Sequence, residues 1–583
     1  MTKPSVALLF LISLALAACG GGGGGAPPNN GGGGPTPTPT PTPTQTPKAS
    51  SCVVSNHGVP TGYGPADVTA ALHFPFSSGG VTYNGAGQTV AVVIDSNINP
   101  SDVSTYLTHY GILQTGTITD RPVDGADGGC HGGSQDEATL DVETIAGLAP
   151  GANIMIYQMP YNVGGITDQE IADAYNAVVS DKKAFVVNTS LGGCEGSGSI
   201  ALNEPEDAVM QSGAAGGVVF ASSSGDSGNL CQTGPNQAGA SYPASDPNGA
   251  GVGGTETSMS GGYTLTSGTV WNDHTCTGGI CAGGGGVSSV FPIPAVQSGV
   301  LSACKAPPSG STCSTSMRNV PDVSMPAEDV NVYEGGWILL EGTSWSSPEY
   351  AAMMAEVYQY CHLSSGLANP LSIPYYVWNH ASSDFIDVTL GSDQISSYAP
   401  YYHAVAGFDD AGGLGVPYAD EFASTACPGG SPASGLSLSR ISGMAMSAPR
   451  GGSVLDVTPR MPGLVDLGER SANEPTRVQI VLRPEAASSG TEAQVIAALE
   501  TAGFTIVQRF PNHLVVDAQA PSSAVERLFG TQLHDVAQGE AGTRYMPVRP
   551  VVLPASIAPF VATVNLDNVA TRHIPIGVTG RLR

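Results

Sequence analysis

Four short apolar runs rich in Val and Ile punctuate the first half of the chain: Gln88–Asp95 (QTVAVVID), Ala152–Gln158 (ANIMIYQ), Ala184–Thr189 (AFVVNT) and Gly217–Ser222 (GVVFAS). None of them alternates polar with apolar residues, so each reads as a strand buried on both faces, as in a parallel sheet. Between them, Asp136–Leu148 and Ile166–Val179 read as helices. This strand–helix–strand repetition predicts an α/β fold, a doubly wound parallel sheet, over residues 51–430. An irregular stretch with scattered Arg, Gly and Pro follows and is expected to be a linker, 431–475. Beyond it come Arg477–Leu482 (strand), Thr491–Ala502 (helix), Phe504–Arg509 and His513–Ala518 (strands), Ser522–Phe529 (helix) and Thr531–Val536 (strand). That βαββαβ order predicts a smaller α+β, ferredoxin-like domain over 476–570, with a tail at 571–583. Gly249-x-Gly251-x-x-Gly254 matches a dinucleotide fingerprint as text, but Thr255–Gly268 is polar and Gly-rich and opens no helix, so no nucleotide is implied.

The amino terminus has a different pattern. Lys3 precedes an apolar run from Val6 to Ala18, too short to span a bilayer comfortably and of signal-peptide form. Its end, Leu16-Ala17-Ala18-Cys19, resembles a bacterial lipobox, in which the Cys becomes the lipidated first residue. Residues 1–19 are thus expected to be a lipoprotein signal peptide, with a membrane attachment through a lipid on Cys19. The plainer alternative is an ordinary cleavage site before a Cys. Residues 20–50 are poly-Gly and then Pro-Thr repeats, a tether that is flexible first and extended later. The expected location is the cell envelope (outer membrane or periplasm) or, after release, the extracellular medium. Apart from Cys19, ten cysteines remain. An even number in an exported chain favours disulfides, and Cys276/Cys281 and Cys304/Cys313 are close enough to close small loops.

Charge changes the picture twice. With 20 basic and 48 acidic residues the net charge is −28, a surface that repels phosphate backbones and argues against nucleic-acid binding. The charge is also uneven. From Gly435 onward there are 13 Arg, no Lys and 12 acidic residues, against seven basic and 36 acidic residues before it, so two differently composed parts are expected. A first part with few cations has few carboxylate ion pairs to lose on protonation, which suits acidic surroundings.

The sharpest chemical signal is Gly342-Thr343-Ser344-Trp345-Ser346-Ser347-Pro348, followed by an apolar helical stretch. Pro348 is expected in the helix's first turn, where its missing N–H costs nothing. Ser344 is then held at a helix amino terminus, whose N–H groups suit a developing oxyanion. A helix cap is the bland alternative. A serine nucleophile needs a base. His57 precedes the first strand and His131 lies in a Gly-rich loop, so a Ser/His/Asp arrangement using Asp95 lacks a suitably placed imidazole. Glu137 and Asp141, four apart, share one helix face instead. Two carboxyls that close share a proton, and one pKa rises; alone, the pair could equally be a solvated acidic first turn. Asp226, in Ser224-Gly225-Asp226-Ser227-Gly228, follows a strand end, where ligand groups gather in open α/β sheets. A protonated carboxyl there could donate to an oxyanion.

Taken in order, Glu137-x-x-x-Asp141, Ser224–Gly228 (SGDSG), Thr269-Val-Trp-Asn272, Asn319-Val-Pro-Asp-Val323 and Gly342–Pro348 (GTSWSSP) resemble the sedolisin, or serine-carboxyl peptidase, family, kumamolisin-like relatives of subtilisin. The resemblance runs from about Thr61 to Pro417. It implies a subtilisin-like fold and hydrolysis of proteins or peptides at acidic pH, with Ser344 as nucleophile, Glu137 as general base, Asp141 orienting it and Asp226 as oxyanion donor. It also implies a Ca²⁺ site from the carboxylates of Asp387 and Asp409 and the carbonyls of Val388, Val405 and Gly407, an all-oxygen set that suits a hard cation. Val405 stands where relatives often have Gly. Relatives carry a large propeptide before the catalytic domain, and here only a tether stands there. The C-terminal segment, through Phe529–His534 and Leu553–Asn568, resembles the second part of that propeptide instead. It is therefore expected to dock on the catalytic domain as an intramolecular chaperone or inhibitor. The competing expectation is a surface lipoprotein whose peptidase-like domain is an inactive binding or adhesion module.

Overall fold

The computed structural model describes residues 62–195, 205–231, 239–256, 268–273, 281–301, 313–397, 400–436 and 463–572, with isolated positions 52, 59, 60, 259, 260, 264, 265, 454 and 455. The expected signal peptide, Cys19, the tether and the tail from 573 lie outside the described residues.

Seven parallel strands form the central sheet, in the order Val323–Pro326, Ala250–Thr255, Val219–Ser223, Val186–Thr189, Thr89–Ile94, Asn153–Gln158 and Ile118–Asp120. Thr89–Ile94 pairs in register with Asn153–Gln158, from Thr89 opposite Asn153 to Ile94 opposite Gln158. The core strands are buried throughout, which explains why they read as unbroken apolar runs. The glycines of the fingerprint-like text sit inside the strand Ala250–Thr255. Helix Gly132–Leu148 and helix Thr343–Tyr360 pack against each other on one side of the sheet. Both are buried almost along their whole length, so their sequences show no polar stripe.

Pro348 differs from expectation. The helix starts at Thr343, directly behind Gly342 at φ +143°, so Pro348 is its sixth residue. The missing Pro348 N–H leaves the Ser344 carbonyl without its intrahelical donor, and Ser190 Oγ approaches that oxygen at 3.3 Å. Disulfides join Cys52–Cys130, Cys194–Cys231 and Cys361–Cys427. Cys281 and Cys313 are disulfide-bonded too, and their expected partners lie outside the described residues.

The C-terminal part carries a four-stranded antiparallel sheet in the order Thr505–Arg509, Val515–Pro521, Pro475–Leu482, Val561–Asn565, with helices Ser489–Thr501 and Ser522–Phe529. The fourth strand is Val561–Asn565, not Thr531–Val536. The latter region, as Leu533–Ala537, joins a separate sheet between Val465–Glu469 and Thr543–Pro547. Burial accounts for the choice. All five residues of Val561–Asn565 are buried, whereas Leu533–Ala537 is only half-buried and suits a peripheral sheet. Val465–Glu469 also places ordered structure inside the stretch expected to be a linker.

The four-stranded sheet lies on the parallel-sheet domain. Val481, Leu514, Val515 and Ala562 share one apolar core with Ile171, Ala174, Tyr175 and Val178 of helix Asp168–Asp181 and with Ala208 and Val209 of helix Pro205–Ala215. At the rim, Ala570–Arg572 adds an antiparallel strand to Ile166–Thr167.

Candidate active site

The four residues picked out from sequence converge. Glu137 and Asp141 project from helix Gly132–Leu148 and are 2% and 0% exposed. Ser344, 3% exposed, is the second residue of helix Thr343–Tyr360. Its N–H therefore lies among those with no intrahelical acceptor. Burial pushes the Glu137 carboxyl well above the usual range, and the neighbouring charges of Asp141 and then Asp226 push it further, while the Ser344 hydroxyl favours its ionised form. Among the described residues Ser344 Oγ makes no fully formed hydrogen bond; it is near the carboxyl but not locked to it, as such contacts often are before substrate binds.

Asp141 is raised by burial and partly restored by hydrogen bonds from Ser190 and Asn188. Ser190 Oγ donates to Asp141 Oδ1 at 2.7 Å. Asn188 is fixed in turn by Ser347, whose hydroxyl donates to Asn188 Oδ1 at 2.7 Å. Sequence reading missed Asn188 and Ser190, because NTS at the end of an apolar strand looks like a strand end and nothing more, and it gave Ser347 no role beyond its place in the Gly342–Pro348 motif.

Asp226 sits in the turn after Val219–Ser223, partly exposed. Its Oδ1 accepts from the Thr343 N–H at 2.8 Å and the Thr343 hydroxyl at 2.7 Å. The Thr343 hydroxyl oxygen accepts in its turn from Gly225 N–H at 3.1 Å. Desolvation outweighs these bonds and raises the carboxyl to about 6. A Cβ on Gly342 would sit 2.7 Å from Asp226 Oδ2, so this glycine is needed for space as well as for its backbone angle.

The imidazole alternative is set aside by geometry. His131 occupies the N-cap position of helix Gly132–Leu148, hydrogen-bonds to Asp127 at 2.9 Å and stacks on Tyr161. It reaches Asp95 electrostatically, but Asp95 owes its rise to about 6 mainly to burial. Among the described residues no imidazole bonds to Ser344 Oγ; His57 lies outside them.

The expected calcium segments also meet. Gly407 N–H donates to Asp387, with 3.0 Å to Oδ2, and Asp409 accepts from Val405 N–H at 2.7 Å, Ala411 N–H at 3.0 Å and Gly412 N–H at 2.7 Å. Asp409 is raised to about 7, mainly by burial, with the charge of Asp387 adding to it. Among the described residues no donor reaches the carbonyls of Val388, Val405 or Gly407. Two neighbouring carboxylates with three free carbonyls fit an oxygen-liganded cation.

A parallel sheet with Ser344 at a helix start defines a subtilisin-like hydrolase architecture, and residues 75–385 match the subtilase family. The chain belongs to that family. Residues 483–569 match the pro-kumamolisin activation domain. The chain is 31% identical to kumamolisin from Bacillus sp. (strain MN-32) over 373 residues, 62% of this chain and 63% of that protein. It is 30% identical to xanthomonalisin from Xanthomonas sp. (strain T-22) over 396 residues, 60% of this chain and 44% of that protein. It thus spans less than two thirds of the length of these curated relatives. Among solved structures, Pseudomonas sedolisin, a serine-carboxyl proteinase complexed with two molecules of pseudo-iodotyrostatin, superposes with a TM-score of 0.54 at 24% identity, covering 63% of this chain and 99% of that one, which supports the fold.

Proposed function

We propose that this chain is a serine-carboxyl peptidase that hydrolyses peptide bonds of proteins or peptides in acid. The observation that carries this reading is the meeting of Ser344, Glu137, Asp141 and Asp226 at one helix start, with no imidazole on the serine among the described residues. Ser344 Oγ attacks the scissile carbonyl carbon and its proton passes to Glu137. The carbonyl oxygen, now negative, accepts hydrogen bonds from the protonated Asp226 and from the helix-start N–H of Ser344. Glu137 then protonates the leaving amine, and water, deprotonated by the same carboxyl, releases the acyl group. Low pH is required because Asp226 donates only while protonated, whereas the Glu137–Asp141 pair must keep one negative charge.

The activation-domain match and the buried interface support the C-terminal domain as an intramolecular chaperone or inhibitor. Calcium is the cation proposed for Asp387 and Asp409 with the carbonyls of Val388, Val405 and Gly407; it would tie the two segments together and supply no catalytic step. Export, with a lipid on Cys19, is proposed from the amino-terminal pattern alone. Incubation of the full chain with denatured casein at about pH 4 tests the function. Cleavage that Ser344→Ala abolishes is expected; cleavage that persists in Ser344→Ala, or none by the wild type, would return the chain to the binding-module reading.

A further inference from the structure

Asp141 has an unusual neighbourhood for a buried acid. The charges bearing most on the pair are themselves acidic: Asp226 from the turn after Val219–Ser223 and Asp136 from the pair's own helix. Among the described residues, the strand side contributes Asn188 and Ser190, and the serine helix Ser344 and Ser347. All of the neutral donors are buried: Asn188, Ser190 and Ser347 are each 0% exposed.

The donors are arranged with a direction. Ser347 gives its proton to Asn188 Oδ1, which fixes the amide so that its NH₂ faces the other way. That NH₂ lies 3.4 Å from Ser190 Oγ and also supports the Asp141 carboxylate. Ser190 in turn donates to Asp141 Oδ1 at 2.7 Å. A flipped amide would put its oxygen toward Asp141 and its NH₂ toward Ser347, losing this support. Asp141 Oδ2 and Glu137 Oε1 have no described donor, so a proton between the two acids is the partner available to them.

We propose that Asn188, oriented by Ser347, and Ser190 are positioning residues that hold Asp141 as the anionic end of the acid pair, so that Glu137 passes a proton on rather than merely storing one. The inference rests on the peptidase reading above. At rest the pair carries one proton, on Glu137, and one negative charge, on Asp141. As Ser344 Oγ bonds to the carbonyl carbon, its hydrogen moves to one Glu137 oxygen. The hydrogen already on the other Glu137 oxygen moves to Asp141. The pair ends neutral with two protons, and the negative charge has moved to the former carbonyl oxygen, where Asp226 and the helix start receive it. Donors that favour an ionised Asp141 keep the pair singly charged at lower pH.

The test is the pH profile of kcat/KM for the full chain on a peptide substrate, comparing wild type with Ser190→Ala, Asn188→Ala and Ser347→Ala. A hydrogen bond to a charged group is worth roughly one pH unit or more. The acid limb is therefore expected to move up by about one unit in Ser190→Ala and Asn188→Ala, and by less in Ser347→Ala, which keeps the amide but frees it to turn. The upper limb, set by Asp226, stays in place. Ser347→Ala serves where Asn188→Ala does not fold. Variants that lose rate equally at every pH would show a merely structural role and overturn the proposal while leaving the peptidase reading intact. A wild type with no Ser344-dependent cleavage would remove that reading, and this inference with it.

Discussion

Two groups of three acids, one at the candidate active site and one where the C-terminal domain docks, are treated in opposite ways. At the candidate active site Glu137, Asp141 and Asp226 are supported by neutral donors, Ser190, Asn188 and Thr343. At the docking surface Asp124 and Asp173 of the parallel-sheet domain and Asp517 of the C-terminal domain surround one guanidinium, with Arg477 Nη2 at 2.7, 2.9 and 2.9 Å from them. Burial raises acids in both places: Asp226 and Asp517 each reach about 6, and Asp173 goes well above its ordinary range through burial and the charges of Asp124 and Asp517. The difference lies in what relieves them. Neutral donors leave the proton count at the cleft adjustable, as proton transfer needs. A cation fixes charge and geometry instead, and joins two parts of the chain that are far apart in sequence.

The comparison can be broken first at the cleft. Ser344→Ala removes the only nucleophile proposed, and peptide hydrolysis should fall on the order of 10⁴-fold or more in a single-turnover assay. Retained activity would mean that the cleft acids are structural like those at the interface. Asp226→Asn is a finer probe. An amide still donates but is a weaker oxyanion partner, so a loss on the order of 10²–10³-fold is expected. Because the amide does not ionise, the residual rate should no longer decline as pH rises through about 6, the value that burial gives Asp226. An unchanged upper limb would assign that decline to another group.

The same contrast governs what could be read in advance. The cleft was legible because its chemistry is concentrated in short motifs: Glu137 and Asp141 share one helix turn, and Ser344 and Thr343 one helix start. The central sheet was legible because strands such as Thr89–Ile94 are buried on both faces. The interface was not. Arg477 meets Asp124 and Asp173 across 353 and 304 residues, and nothing local marks a charged residue as one whose partner lies in another layer. Ile166–Thr167 read as the start of a helix for the same reason, since the strand it pairs with, Ala570–Arg572, arrives from the far end of the chain. Asn188 and Ser190 were hidden differently: their polar atoms point into a core, where strand patterning conveys only burial.

At the interface, Arg477→Ala should leave three buried acids without a cation. Removing one partner of a buried ion pair costs about 3–5 kcal/mol, read as the change in urea midpoint of the full chain at pH 7. Gln479, whose amide donates to Asp173 Oδ1 at 2.8 Å, would remain as a neutral donor, so the mutant interface would come to resemble the cleft. A change below about 1 kcal/mol, the range of an exposed pair, would show that the cluster is solvated and the contrast with the cleft false.

The smallest expected effect separates charge from packing. Asp173 and Asp517 have raised affinities for protons in the docked state. Stability that arises from such groups is fully present below the ordinary carboxylate range and is lost as pH rises through the raised value, about 6 for Asp517. At pH 4 Asp173 and Asp517 hold protons and depend little on the guanidinium. Arg477→Ala should then cost only about 1 kcal/mol, the worth of its hydrogen bonds. The difference in urea midpoint between wild type and Arg477→Ala should therefore widen steadily from pH 4 to pH 7. A constant difference would mean that Asp173 and Asp517 stay ionised throughout, held by the arginine as a plain ion pair. Acid would then not tighten the docked C-terminal domain over the same range in which it protonates Asp226.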